Sequence, residues 1–125
     1  MTRFRFFLAL PALVLATLAA QPALALDCAN ASTTMDMVQC ADIDYQAADK
    51  RLNQSYGAFK KTLDAEGAKL LLESQRAWLK FRDTNCALAA DQARGGTMAP
   101  LLTLGCLADL TAKRAKELDE FAGGR

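Results

Sequence analysis

Apolar side chains recur every three or four residues along most of this chain, and no run shows the alternation of period two that marks a strand. Thr33-Thr34-Met35-Asp36 has the form of a capping box and predicts a short helix ending near Cys40. Asp42 is placed to cap a second helix running to about Leu63, with Tyr45, Ala48, Leu52, Tyr56, Phe59 and Leu63 on one face. Asp64-Ala65-Glu66-Gly67 reads as a connection. A third helix is expected from about Ala68 to Ala93, with Leu71, Trp78, Phe81 and Leu88 as its inward seam. Arg94-Gly95-Gly96 breaks that helix, since paired glycines disfavour helix and permit positive φ. Thr97 can cap a fourth helix with Pro100 in its first turn, where a missing N–H does no harm. That helix carries Leu104, Leu107, Leu110, Arg114, Leu118 and Phe121 to a stop at Gly123-Gly124. The pattern predicts an all-α antiparallel bundle of three long helices plus a short N-terminal helix.

The first 25 residues belong to a different kind of segment. Arg3 and Arg5 form a basic start, Phe6 to Ala20 is uncharged and apolar, and Ala23-Leu24-Ala25 is a small-x-small cleavage site. The apolar run is interrupted by Pro11 and falls short of the roughly 20 residues that span a bilayer. Residues 1–25 therefore read as a signal peptide and 26–125 as a single mature domain, with no membrane insertion after cleavage. Cys28 follows the apolar run closely enough to raise lipidation, but Asp27 beside it does not fit the small residue such signals require.

All four cysteines, Cys28, Cys40, Cys86 and Cys106, lie in the exported part. An even count in a small exported chain, without close C-x-x-C pairs, points to two disulfides rather than a metal site. Three pairings are possible, and Cys28–Cys40 with Cys86–Cys106 closes the shorter loops. With Arg3 and Arg5 removed, the chain's 15 basic and 14 acidic side chains leave the mature part with one acid in excess. So small a net charge implies neither nucleic acid nor an anionic membrane as partner. The absence of His removes the usual general base, pH sensor and metal ligand together. Scattered carboxylates and bonded cysteines leave little for catalysis. Asp42 and Asp44 sit at a predicted helix start, where acids favour the dipole. The expectation is a protein that is not an enzyme and carries no cofactor.

Several polar residues admit a structural reading. Arg82, Asp83, Arg114 and Glu117 could line a groove, but Arg clamps carboxylates between helices well, and a structural role is expected. Asn53, between Leu52 and Tyr56, suits an interhelical hydrogen bond. Asn30-Ala31-Ser32 and Asn53-Gln54-Ser55 match the glycosylation pattern, which arises often by chance.

Three blocks carry a family resemblance. Leu52-Asn53-x-x-Tyr56, Gln75-Arg76-x-Trp78-Leu79-x-Phe81-Arg82-Asp83-x-x-Cys86, and Cys106-Leu107-x-x-Leu110-Thr111-x-x-Arg114-x-x-Glu117-Leu118 resemble the lysozyme inhibitor LprI family. The Asp27-Cys28 start and Cys40 extend the resemblance over nearly the whole mature chain. It implies a small protein of the bacterial envelope, periplasmic or secreted, with the first cysteine bonded to the second and the third to the fourth. The family name implies inhibition of lysozyme, so a protein partner is expected. The alternative is a structural or interaction module of the envelope with another partner. If the protein is an inhibitor, the candidate protrusion is Arg94-Gly95-Gly96-Thr97-Met98, with Arg94, Thr97 and Met98 as the partner-binding residues. The Ala23-Leu24-Ala25 site predicts that the exported protein begins at Leu26 without added lipid, which its intact mass will check.

Overall fold

The structure is a computed structural model that describes residues 26–124; the signal peptide expected at residues 1–25 lies outside these residues. Three long helices run up, down and up: α1 (Thr34–Lys60), α2 (Ala65–Ala90) and α3 (Ala99–Gly123). Short 3-10 turns at Cys28–Asn30 and Asp91–Ala93 precede α1 and follow α2. No strand occurs among the described residues. The all-α bundle with two disulfides is as expected. The separate short helix is not: residues 34 to 60 form one uninterrupted helix. Thr33 does cap it, accepting from the Asp36 N–H at 3.1 Å. Asp42, expected as a second cap, is an interior position that accepts from Gln46 Nε2 at 2.6 Å. A cap-type residue is a boundary only where something forces one, and no Gly or Pro interrupts the chain there.

The connection after α1 lies three residues earlier than expected, at 61–64 rather than 64–67. Thr62 Oγ1 donates to the Phe59 carbonyl at 2.8 Å, closing the last turn of α1. Asp64 then accepts from the Gly67 N–H at 2.8 Å, so Ala65 to Gly67 form the first turn of α2. At α3 the cap is Met98, through its backbone alone, and Thr97 makes no capping hydrogen bond. Pro100 lies in the first turn, as expected.

The central helix is α3, which packs along α1 and against α2, while α1 and α2 meet sparingly. The apolar core is concentrated at the α1–α2 connection. Leu52 and Phe59 of α1, Leu71 of α2, and Ala115 and Leu118 of α3 are buried there, with Tyr56, Leu63, Trp78 and Ala122 packed on them. At the opposite end two disulfides take over. Cys28–Cys40 ties the leading 3-10 turn to α1, and Cys86–Cys106 ties α2 to α3, with Cα separations of 5.6 Å and 5.5 Å. On the chain-entropy account each contributes roughly 3 kcal/mol, much of what a small domain possesses.

Between these ends lies a stack of cations and rings. The Arg82 guanidinium sits 5.3 Å from the centre of the Trp78 ring and 5.6 Å from that of Tyr45. The Arg114 guanidinium lies 5.9 Å from the Trp78 ring centre. Both arginines are buried, and every guanidinium nitrogen has a partner. Arg82 donates from Nη1 to the buried Thr111 hydroxyl at 3.3 Å, from Nε to Asp83 Oδ1 at 2.9 Å, and pairs Nη2 with the same carboxylate at 2.8 Å. Arg114 donates to Gln75 Oε1 at 3.2 Å, Glu117 Oε2 at 2.6 Å and Ser74 Oγ at 2.9 Å. The constellation Arg82, Asp83, Arg114 and Glu117 is thus part of the framework joining all three helices.

This stack corrects the expected seam of α2. Leu71 is buried and Trp78 half-buried against the core, but Phe81 is 53% exposed and Leu88 73% exposed. The buried face instead reads Leu71, Arg82, Cys86 and Ala90, with Gln75 and Trp78 half-buried among them. Asn53 is also exposed and bonds to Asp49 Oδ2 at 3.1 Å within α1, so the expected interhelical hydrogen bond is absent. On α3, Phe121 is half-exposed and leans on Phe59 at a centroid distance of 6.1 Å.

Two contrasts in urea unfolding test this arrangement. Leu118→Ala, at a fully buried position, should lower stability by about 2–5 kcal/mol, whereas Phe81→Ala should change it by no more than about 0.5 kcal/mol. Arg114→Ala leaves Gln75, Ser74 and the Trp78 face without their shared partner and should cost about 2–4 kcal/mol, far more than a surface arginine.

Candidate functional site

The candidate site is the disulfide-braced end of the bundle, with the 94–98 turn at its tip. Its shape follows from how α2 stops. Ala90 is the last residue of α2, and Asp91–Ala93 tighten into a 3-10 turn whose Asp91 carbonyl accepts the Arg94 N–H at 3.0 Å. Gly95 then takes φ +76°, the left-handed region where a side chain would be strained, and reverses the chain. The Gly96 N–H bonds to the Ala93 carbonyl at 2.9 Å, and the Ala99 N–H to the Gly96 carbonyl at 3.3 Å. Arg94, Gly95, Gly96, Thr97 and Met98 are all exposed. Cys86–Cys106 locks the two helices that carry the turn.

Within the turn the Arg94 side chain reaches back to Asp91. Arg94 Nε donates to Asp91 Oδ1 at 2.7 Å, and Arg94 Nη2 pairs with the same oxygen. Sequence reasoning misses Asp91, although an Asp three residues before an Arg is a legible pairing. The structure therefore places Arg94, Thr97 and Met98 on one exposed turn, with Arg94 held by Asp91 and the Thr97 hydroxyl free of any capping role.

Charge is distributed unevenly around this end. From Leu26 to Asp49 the chain carries Asp27, Asp36, Asp42, Asp44 and Asp49 and no base. Asn30 and the Ala29 N–H bond to Asp27 and hold its carboxyl below the usual aspartate range. Between Asp83 and Ala112 the single base is Arg94. Bases outnumber acids toward the other end, where Lys60, Lys61, Lys69, Lys113 and Lys116 lie. There Arg51 pairs with Asp119 at 2.6 Å, joins α1 to α3, and lowers the Asp119 carboxyl below its usual range. Among the described residues, no group of three His, Cys, Asp or Glu is arranged to hold a metal ion. No helix among them is long and apolar enough to cross a membrane.

Comparison with known proteins agrees with this geometry. A family described as "Lysozyme inhibitor LprI" matches residues 27–118. An uncharacterised protein of Rhizobium meliloti (strain 1021) is 43% identical over 108 residues, covering 76% of this chain and 78% of that protein. The uncharacterised protein YecT of Escherichia coli (strain K12) is 40% identical over 60 residues, 39% of this chain and 37% of its own. The crystal structure of a DUF1311 family protein from Pseudomonas putida KT2440 superposes with a TM-score of 0.67. At 18% identity, over 74% of this chain and 97% of the other, it shows a shared fold. The two disulfides and the family match both indicate an extracytoplasmic protein. With the match running from Asp27 to Leu118 and both disulfides in place, the chain belongs to the LprI family.

Proposed function

We propose that the protein is exported after loss of residues 1–25 and acts as an inhibitor of a lysozyme-type cell-wall hydrolase. In this reading it docks through its disulfide-braced end. The observation that carries the activity is membership of the family described as a lysozyme inhibitor. The geometry supports the site: a narrow, exposed turn held by a disulfide and by its own backbone hydrogen bonds loses little freedom on binding. Lysozyme-type enzymes work with two carboxylates in a cleft. Arg94 at the tip can exchange Asp91 for a cleft carboxylate at little cost, because an exposed pair in water is weak. Thr97 and Met98 supply a hydroxyl and an apolar contact beside it.

The near-zero net charge suggests no electrostatic steering, but the folded chain separates its charges. The acids of the first half of α1 surround the proposed docking end, so a cationic lysozyme is attracted to that end first. Arg94 then meets the acidic cleft from within an acidic surround. A second reading, an envelope module with another partner, is favoured by the exposed apolar residues on α2.

The test is the clearing of a cell-wall suspension by lysozyme in the presence of increasing amounts of the protein. Slowed clearing is expected, with rising salt weakening inhibition through the association rate. Arg94→Ala with Thr97→Ala should weaken inhibition by about tenfold or more while leaving the melting temperature unchanged. Unchanged clearing at large molar excess against several lysozyme types would leave the envelope-module reading in place. Inhibition that survives the double substitution would move the docking site elsewhere.

A further inference from the structure

One flank of α2 carries a row that no other element covers: Leu70, Ser74, Ala77, Phe81, Thr84 and Leu88, spaced by four, three, four, three and four. All six are exposed, and Leu70, Phe81 and Leu88 are each more than half exposed. The two hydroxyls in the row are already engaged inward. Ser74 Oγ accepts from Arg114, and Thr84 Oγ1 donates to the Lys80 and Phe81 carbonyls at 2.8 Å and 3.1 Å. What remains on the surface is an apolar seam with the spacing of a helix–helix contact.

The order of side chains along the seam says what covers it. Turned end for end, the row nearly repeats itself: Leu70 falls opposite Leu88, Ser74 opposite Thr84, and Ala77 opposite Phe81. Each pairing sets like against like, or the smallest residue against the largest. Beside Leu70 the surface also dips. A dent of ≈ 190 Å³ is lined by Leu63, Gly67, Leu70 and Phe121 among others, at the point where the partner's Leu88 would arrive. A helix face that is its own complement under a two-fold rotation is an isologous interface. We propose that α2 is a homodimer surface, in which two copies of this chain pair antiparallel along Leu70–Leu88, with Phe81 seated over Ala77 of the partner and Leu88 in the partner's dent.

The area sets the strength. The row spans roughly 27 Å of helix, and a helix is about 10 Å across, so each copy buries on the order of 300–500 Å². This is about half of the roughly 800 Å² per partner of a standard stable interface. The dimer is therefore weak and forms with rising concentration. Lys80 flanks the row close to the two-fold and faces its own copy, while antiparallel pairing sets the aspartate-bearing end of each copy beside the lysine-bearing end of the other, so the charges oppose each other and apolar contact decides the association.

Sedimentation equilibrium of the exported, disulfide-bonded protein over a wide concentration range reads the dimer directly. Leu88→Glu should leave a monomer with unchanged helical circular dichroism. Ala77→Phe is the discriminating variant: it adds apolar surface yet sets two phenylalanines against each other, and should weaken the dimer by about tenfold. Ala77→Phe with Phe81→Ala exchanges the pair and should restore it. Because all four cysteines are bonded, a single Ala87→Cys takes one spin label. Antiparallel pairing then places the two labels roughly 24 Å apart along the axis, whereas parallel pairing brings them side by side. A protein that stays monomeric at the highest concentrations would overturn the proposal. So would an Ala77→Phe variant that associates more strongly, or labels that lie side by side.

Discussion

The bundle turns on one interaction, the packing of two buried guanidiniums against the Trp78 ring. A buried arginine is tolerable only if its charge and its donors are all met. Here Arg82 and Arg114 meet that demand with partners drawn from α2 and α3, while Tyr45 of α1 covers one guanidinium. The geometry of three helices is therefore fixed at mid-length by directional contacts rather than by volume filling. The two ends are then free to be built differently, with leucine and phenylalanine closing one and disulfides closing the other. A domain of this size has a small core, and the cross-links stand where apolar burial runs out.

This division explains what can be read from the sequence. The helices, the up-down-up order, the disulfide pairing and the break at Arg94-Gly95-Gly96 follow from periodicity, short loops and glycine chemistry. The inward face of α2 cannot be read the same way. Periodicity counts apolar residues, and on α2 the inward positions include the buried Arg82 and the half-buried Gln75 while Phe81 and Leu88 are exposed. Only knowledge that the arginines find partners on another helix inverts that reading. The continuity of α1 is hidden for a local reason: Asp42 has the side chain of a cap but also bonds comfortably to Gln46 one turn on. Thr97 illustrates the same ambiguity at α3, where the backbone of Met98 serves instead. At the candidate site, the exposed turn is legible from its glycines, and the Asp91–Arg94 pair is overlooked although its i,i+3 spacing is present in the sequence.

The proposed docking turn and the proposed dimer surface occupy different parts of the bundle. The 94–98 turn lies at the tip of the bundle, while the apolar row runs along the side of α2. An antiparallel dimer points its two tips in opposite directions. If both proposals hold, each copy presents its turn to a separate partner, and the pair bridges two of them.

The lopsided placing of charge has a consequence that net charge conceals. At α1's 27 residues the bundle is roughly 40 Å long, several times the screening distance of about 8 Å in physiological salt. Its ends are electrically strangers to each other. A neighbour approaching the braced end senses aspartates and nothing of the lysines beyond. A uniform field exerts almost no pull on such a molecule and still exerts a torque. The chain is turned before it is drawn, and which end arrives first is decided by the sign of what it approaches.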